Sequence, residues 1–173
     1  MNRTIPVINT ARLTLRPMRM PDFDRYAEIQ AQPACGGRDR SGAWDLFLRN
    51  AGQWQMLGFG QWAVTEAASR RMIGLVGFSQ ADSAGAGTPP EAGWHLAEGV
   101  RGRGYGPEAA QAAHDWFDRV IPGPLTCCVT VCDARSQHLA RRLGYEAGDA
   151  VTRGGAQAVL LRRDRPPQRS FAP

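Results

Sequence analysis

The sequence predicts a single α/β domain in which a mixed β-sheet is flanked by helices. Three observations carry that expectation. Runs with period-two or continuous apolar patterning alternate with runs of helical spacing along the whole chain. One strand-like run, Glu91-Ala-Gly-Trp-His-Leu-Ala97, passes directly through a glycine- and arginine-rich loop into a helical stretch. The length of 173 residues, with 43% hydrophobic and 21% charged side chains, suits one hydrophobic core in an ordinary globular chain.

Taken in order, Arg12-Leu-Thr-Leu-Arg-Pro17 alternates apolar and polar side chains and reads as the first strand. Asp22 caps a helix over 22–30 that places Phe23, Tyr26, Ala27 and Ile29 on its apolar side. Pro33 to Gly42, with Gly36-Gly37 inside it, is a loop. A second helix is expected from about Ala43, with Trp44, Phe47, Leu48, Ala51, Trp54 and Leu57 in one stripe and Gly58 as its stop. Gln61 to Thr65 and Met72 to Phe78, joined by the polar segment Glu66 to Arg71, read as a hairpin. Ala81 to Pro90, rich in Gly, Pro and Ser, is a loop placed to act as a lid. Beyond the strand from Glu91, a helix from Pro107 to Arg119 turns Ala109, Ala113, Trp116 and Val120 inward, and Pro122-Gly-Pro124 stops it. Leu125 to Val131 is an apolar, buried strand. A helix after Asp133 ends at Gly144, its Arg141 and Arg142 complementing the C-terminal dipole. Strands near Glu146 to Thr152 and Gln157 to Arg162 complete the sheet and leave a basic, flexible tail from about 163 to 173.

Chemistry concentrates in Arg101-Gly102-Arg103-Gly104-Tyr105-Gly106-Pro107-Glu108. Alternating glycines let backbone N–H groups approach an anion, and the helix that follows adds its unsatisfied first-turn donors. Arg101 and Arg103 supply cations suited to phosphate. A Walker A loop requires Gly-Lys-Ser/Thr, and a dinucleotide fingerprint requires G-x-G-x-x-G after the first strand of its unit. Neither pattern is present, so another phosphate ligand is implied.

The order strand, Arg-x-x-Gly-x-Gly loop (Arg101, Gly104, Gly106) and helix resembles the pyrophosphate loop of the GNAT superfamily of acyl-CoA N-acyltransferases. Asp133-Ala-Arg-Ser136-Gln-His-Leu139-Ala-Arg-Arg-Leu143-Gly144-Tyr145 is similar to the family's Asn-x-x-Ser/Ala-x-x-Leu-x-x-x-Leu-Gly-Phe helix. Arg12-Leu-Thr-Leu-Arg-Pro17 looks like the opening strand of its RimJ/RimL-like branch. The resemblance implies a mostly antiparallel, twisted sheet splayed at its centre, and an acetyl-CoA-dependent transfer to a primary amine of a protein N-terminus or small molecule by direct attack in a ternary complex.

It also implies a site. The pantetheine arm of the cofactor would pair with the backbone of Trp94, His95 and Leu96, and its pyrophosphate would rest on Arg101, Gly102, Arg103, Gly104, Tyr105 and Gly106. Many members use a tyrosine as proton donor where this chain has Ala140; the RimJ/RimL-like role falls instead to Ser136, whose competing reading is a locally bonded residue of the cap made by Asp133. Asp133 replaces the usual Asn and, as a carboxylate, cannot donate to a pantetheine carbonyl. For the base, Glu91 and His95 share one face of a strand. His114 and His138 read as solvated or locally paired.

Composition limits the alternatives. All 21 basic residues are arginine, which removes Schiff-base, P-loop and kinase-type lysine chemistry. The net charge of +5 is interspersed with acids except in the tail, so nucleic acid is disfavoured as a partner. The remaining alternatives are an acyl-CoA sensor without catalysis and a basic RNA-associated protein whose binding would weaken steeply with salt. Cys35, Cys127, Cys128 and Cys132 lack the spacing of a metal site or a disulfide framework. No apolar run spans a bilayer and no secretory leader is evident, so a cytoplasmic monomer or homodimer is expected, without a membrane partner.

Overall fold

The computed structural model describes residues 4–33, 36–80 and 87–166. An eight-stranded sheet with spatial order β1-β2-β3-β4-β5-β6-β8-β7 forms its centre. The strands are β1 (Ile8–Asn9), β2 (Leu13–Arg16), β3 (Gln61–Glu66), β4 (Met72–Ser79), β5 (Glu91–Leu96), β6 (Leu125–Thr130), β7 (Glu146–Arg153) and β8 (Ala156–Arg163). The helices are α1 (Phe23–Gln30), α2 (Arg40–Leu57), α3 (Tyr105–Val120) and α4 (Ala134–Arg142).

Neighbouring strands run antiparallel except β5 and β6, which are parallel and share the single register pair Glu91↔Thr126. From there the two strands part. The expected splay at the sheet's centre is therefore present, and it leaves one edge of β5 without a partner strand beyond its first residue.

Alternation of side chains along the strands feeds two cores. Trp62, Val64 and Val76 join Ala109, Ala110, Ala113, Trp116 and Phe117 of α3 and Leu139 and Ala140 of α4 in the larger one. Ala63 and Leu75 join Phe23, Tyr26, Ala27 and Ile29 of α1 with Ala43 and Phe47 of α2 in the smaller. Trp54, Trp62 and Trp116 meet edge-to-face with ring centroids 4.8, 5.7 and 5.1 Å apart. Each such pair contributes roughly 0.5–1.5 kcal/mol beyond the area it buries. The indole N–H groups of Trp54 and Trp62 are satisfied by the carbonyls of Gln61 and Pro6.

Several expectations are corrected. β1, a two-residue strand, is too short to show a period in the sequence. α2 begins at Arg40 because the side chain of Asp39 accepts from the amide of Gly42 at 2.8 Å, a cap inside what reads as a loop. Its buried line is Ala43, Phe47, Asn50 and Trp54, while Trp44, Leu48, Ala51 and Leu57 are exposed. Asn50 belongs in that line because its amide exchanges hydrogen bonds with the backbone of Gln61. Val120 and Val131 lie outside the core, 56% and 55% exposed, because each stands at or past the end of its element.

α3 starts at Tyr105, so Pro107 is its third residue. A proline costs nothing there, since first-turn amides have no intrahelical acceptor. Arg163, placed in the tail by sequence, ends β8; it is 2% exposed and forms a bidentate ion pair with Asp118 of α3 at 2.7 and 2.9 Å. Cys35, the first part of the expected lid (81–86) and the rest of the basic tail (167–173) lie outside the described residues. Among those described, no helix is long and apolar enough to cross a membrane.

Candidate active site

β5 carries the site because the splay exposes its edge. The amide of Ala97 donates to the carbonyl of Ile73 in β4. Backbone groups alternate sides along a strand, so those of His95 also face β4 and those of Trp94 and Leu96 face the open edge. The expected pairing surface thus narrows to Trp94 and Leu96, and the Leu96 carbonyl already accepts from Nε of Arg101 at 3.1 Å. For His95 only the side chain is left to serve the site.

The two side-chain faces of β5 differ sharply. Trp94 points toward α3 and α4, where its ring lies 6.4 Å from that of His114 and its Nε1 donates to Oγ of Ser136 at 3.2 Å. The backbone amide of Ser136, in turn, donates to Oδ1 of Asp133 at 3.0 Å. Asp133 is therefore the cap of α4, and its bond goes to the amide of Ser136 while the hydroxyl meets Trp94. Indole N–H can only donate, so it occupies a lone pair of the hydroxyl and leaves the hydroxyl proton for another acceptor. Ala140, in place of the family tyrosine, is fully buried in the core.

On the opposite face stand Glu91, Gly93 and His95. His95 is half-buried, and its pKa is lowered, first by burial and then by the charges of Arg101 and Arg38, so the neutral, proton-accepting imidazole is favoured. Glu91, at the end of β5 that still pairs with β6, forms an ion pair with Arg153 of β7. Four residues of strand separate Glu91 from His95 by about 13 Å. The shared face is confirmed but a direct Glu91–His95 couple is not formed.

The loop after β5 has the shape of a cradle. Gly102 and Gly104 adopt left-handed backbone conformations, with φ of 81° and 78°. A Cβ at Gly102 would meet nothing within 4 Å, and one at Gly104 would come within 3.3 Å of Nη2 of Arg12. The amide of Arg101 is used by the carbonyl of Glu98, and that of Glu108 closes the first turn of α3 onto Gly104. The intervening amides of 102–106 open the helix with no side-chain cap. Tyr105 lies beneath, its hydroxyl donating to Glu66 at 2.7 Å. That bond, followed by one from Ser69 and by the charge of Arg103, holds the Glu66 carboxyl below its ordinary range.

Sequence reasoning missed the reach of Arg12, the burial of His114 and the side-chain contact of Trp94, while the local pairing expected of His114 is present. Arg12, read only as part of a strand, reaches the loop and Glu108. His114 is buried: Nδ1 donates to the carbonyl of Ala110 at 2.7 Å, Nε2 accepts from the hydroxyl of Tyr145 at 2.9 Å, and burial pushes its pKa down to about 4. The indole donation of Trp94 was invisible because the sequence does not reveal which face of β5 meets α4. His138 is exposed, as expected. Cys127, Cys128 and Cys132 are free; burial pushes the Cys127 thiol up to about 12 and that of Cys128 upward. Neither of those two is therefore an activated thiolate. No cluster of metal-ligating side chains occurs among the described residues.

Comparison with known proteins gives the family and the fold. A family model described as the acetyltransferase (GNAT) domain matches residues 12–146. A Bordetella pertussis protein assigned to the GNAT acetyltransferase family aligns with TM-score 0.82 and 28% identity over 92% of this chain and 99% of its own. An acetyltransferase from Agrobacterium tumefaciens aligns with TM-score 0.80 and 29% identity over 95% and 98%. RimL, a ribosomal-protein acetyltransferase solved with coenzyme A, shares the fold with TM-score 0.74 at 14% identity, over 92% and 98%.

Proposed function

The chain belongs to the GNAT acetyltransferase family, and from that premise we propose that it moves the acetyl group of acetyl-CoA to a primary amine by direct attack in a ternary complex. The thioester supplies an acetyl group activated for attack by nitrogen. The observation that carries the proposal is the open edge of β5, which leads from the splay straight into the uncapped start of α3. An extended chain ending in a pyrophosphate fits that path: Trp94 and Leu96 offer backbone groups along it, and the amides of 102–106 lie at its end. The glycines leave the space that phosphate oxygens need.

Two side chains then flank the reacting bond from opposite faces of β5. His95 accepts the proton of the attacking amine on the α1/α2 side. Ser136 offers its hydroxyl proton to sulfur on the α4 side as the carbon–sulfur bond breaks, with Trp94 holding the oxygen. Solvent restores the proton to Ser136 and removes that of His95, so amine and thioester become amide and thiol. Glu91, bound to Arg153, shapes the end of the splay rather than carrying the proton.

The cations of the described chain support a small anionic ligand over a nucleic acid. Arg12, Arg16, Arg25, Arg40, Arg153, Arg162 and Arg163 are each paired with a carboxylate, which leaves less positive field for a polyanion.

Acetyl-CoA turnover with a panel of primary amines, read as thiol release, tests the reading. A base whose pKa lies below the ordinary histidine value of 6.5 is neutral at pH 7 and becomes protonated as the pH falls. The acid limb of kcat/KM is therefore expected below pH 6.5, and His95→Gln should abolish it. Absence of thiol release with every amine, together with CoA-induced thermal stabilisation, would identify a sensor instead.

A further inference from the structure

We propose that Arg12, in the turn between β1 and β2 and 91 residues from Arg103, is a positioning residue that fixes the direction of a cradle N–H and thereby the affinity for the diphosphate of CoA. This rests on the functional reading above and adds to it a determinant outside the cradle itself.

The geometry is specific. Nη1 of Arg12 donates to the carbonyl of Arg103 at 2.9 Å. A trans peptide is planar, and its C=O and N–H point in opposite directions. Holding the Arg103 carbonyl on the Arg12 side therefore turns the N–H of Gly104 away from Arg12, into the cradle. Gly104 has a left-handed conformation and no side chain, so the peptide that precedes it is one that could readily flip. A flipped peptide would present a carbonyl to the phosphate in place of a donor.

Arg12 is itself held on three sides. Its Nε and Nη2 each lie 2.7 Å from Oε2 of Glu108, and its backbone amide donates to Oε1 at 2.9 Å. Thr10 Oγ1 donates to the same Oε1 at 2.6 Å. Burial pushes the Glu108 carboxyl up, but the bonds from Thr10 and Arg12 outweigh it and hold it below its ordinary range. The guanidinium carbon also sits 4.7 Å over the ring of Tyr105, the first residue of α3. One cation thus ties the β1–β2 turn to the loop, to the first turn of α3 and to the face of Tyr105. A guanidinium can serve these partners together, because its donors are fixed in one plane; a lysine ammonium cannot.

The test compares the Kd of CoA with that of 4′-phosphopantetheine, which lacks the diphosphate, for the full chain and for Arg12→Met, Arg12→Lys and Glu108→Gln. Loss of one well-aimed donor to a charged group is expected to weaken CoA about tenfold or more. The ratio of the Kd of CoA to that of 4′-phosphopantetheine should rise correspondingly in Arg12→Met, and to an intermediate extent in Arg12→Lys. General destabilisation would lower the melting temperature without changing that ratio. Wild-type ratios in Arg12→Lys and Glu108→Gln overturn the proposal, and those variants decide it if Arg12→Met does not fold. Failure of the wild-type chain to bind CoA would instead overturn the functional reading.

Discussion

α3 and α4 both begin beside β5, yet one start is closed by its own chain and the other is left open. At α4 the carboxylate of Asp133 accepts from the amide of Ser136 and supplies the cap. At α3 the N-cap is Gly104, which has no side chain to offer, and no side chain caps the first-turn amides. A helix end without a cap leaves donors that need an acceptor from somewhere. Arg12 occupies the carbonyl side of the same loop, so the open start is supported from behind. In the proposed reaction the closed end presents a side chain for chemistry and the open end holds an anion.

The largest effect should come from the closed end. Ser136→Ala keeps the amide bond to Asp133 and removes only the hydroxyl, so stability should hardly change. Turnover should fall on the order of a hundredfold or more, with CoA affinity within a few-fold of wild type, because charge develops on sulfur only as the bond breaks. Near-normal turnover would make Ser136 part of the cap and the two helix starts functionally unequal in a different way.

Gly104→Val attacks the open end. A β-branched side chain at φ 78° costs roughly 1–2 kcal/mol of stability for the left-handed backbone. It would also push against Arg12. CoA affinity should fall by about tenfold or more as the loop shifts. Isothermal titration below the unfolding midpoint separates the two losses. Affinity preserved in a folded but destabilised variant would reduce the loop to a tight turn.

Asp133→Ala should then behave as a cap deletion, with stability lowered by about 1 kcal/mol. Chemical denaturation and CoA titration together check it. A loss of CoA affinity matching that of Gly104→Val would give Asp133 a direct role in cofactor binding and erase the distinction between the two ends.

The open end was legible in sequence and the closed end only in part, for a physical reason. Gly102, Gly104 and Gly106 advertise themselves because a phosphate cradle needs backbone geometry, and backbone geometry leaves a mark in residue type. The splay was implied by resemblance and appears as the single pair Glu91↔Thr126. By contrast, the hydrogen bond between Trp94 and Ser136 joins residues 42 positions apart, and that from Arg12 to Arg103 joins residues 91 apart. No local pattern encodes such contacts. Period also misled at α2, where the polar Asn50 holds the buried line and the apolar Leu48 does not, because backbone groups of β3 needed a partner there. Glu91 and His95 were correctly placed on one face, but sharing a face says nothing of distance along it.

The smallest effect, and the one that tests how the closed end works, is expected from Trp94→Phe. The ring remains to fill the partly buried space beside His114, while the N–H that meets Ser136 Oγ is lost. Without it the hydroxyl is free to rotate, and its proton is aimed at sulfur for only part of the time. A neutral hydrogen bond contributes about 0.5–1.5 kcal/mol, so kcat should fall roughly two- to tenfold while CoA affinity stays close to wild type. Packing loss alone would lower stability and leave kcat in place. The decisive measurement is the double variant. If Trp94 acts through the hydroxyl, adding Trp94→Phe to Ser136→Ala should lower kcat no further, since the group it orients is already gone. Additive losses in the two variants would show that Trp94 serves the reaction independently of Ser136, and would separate the indole from the proton donor it touches.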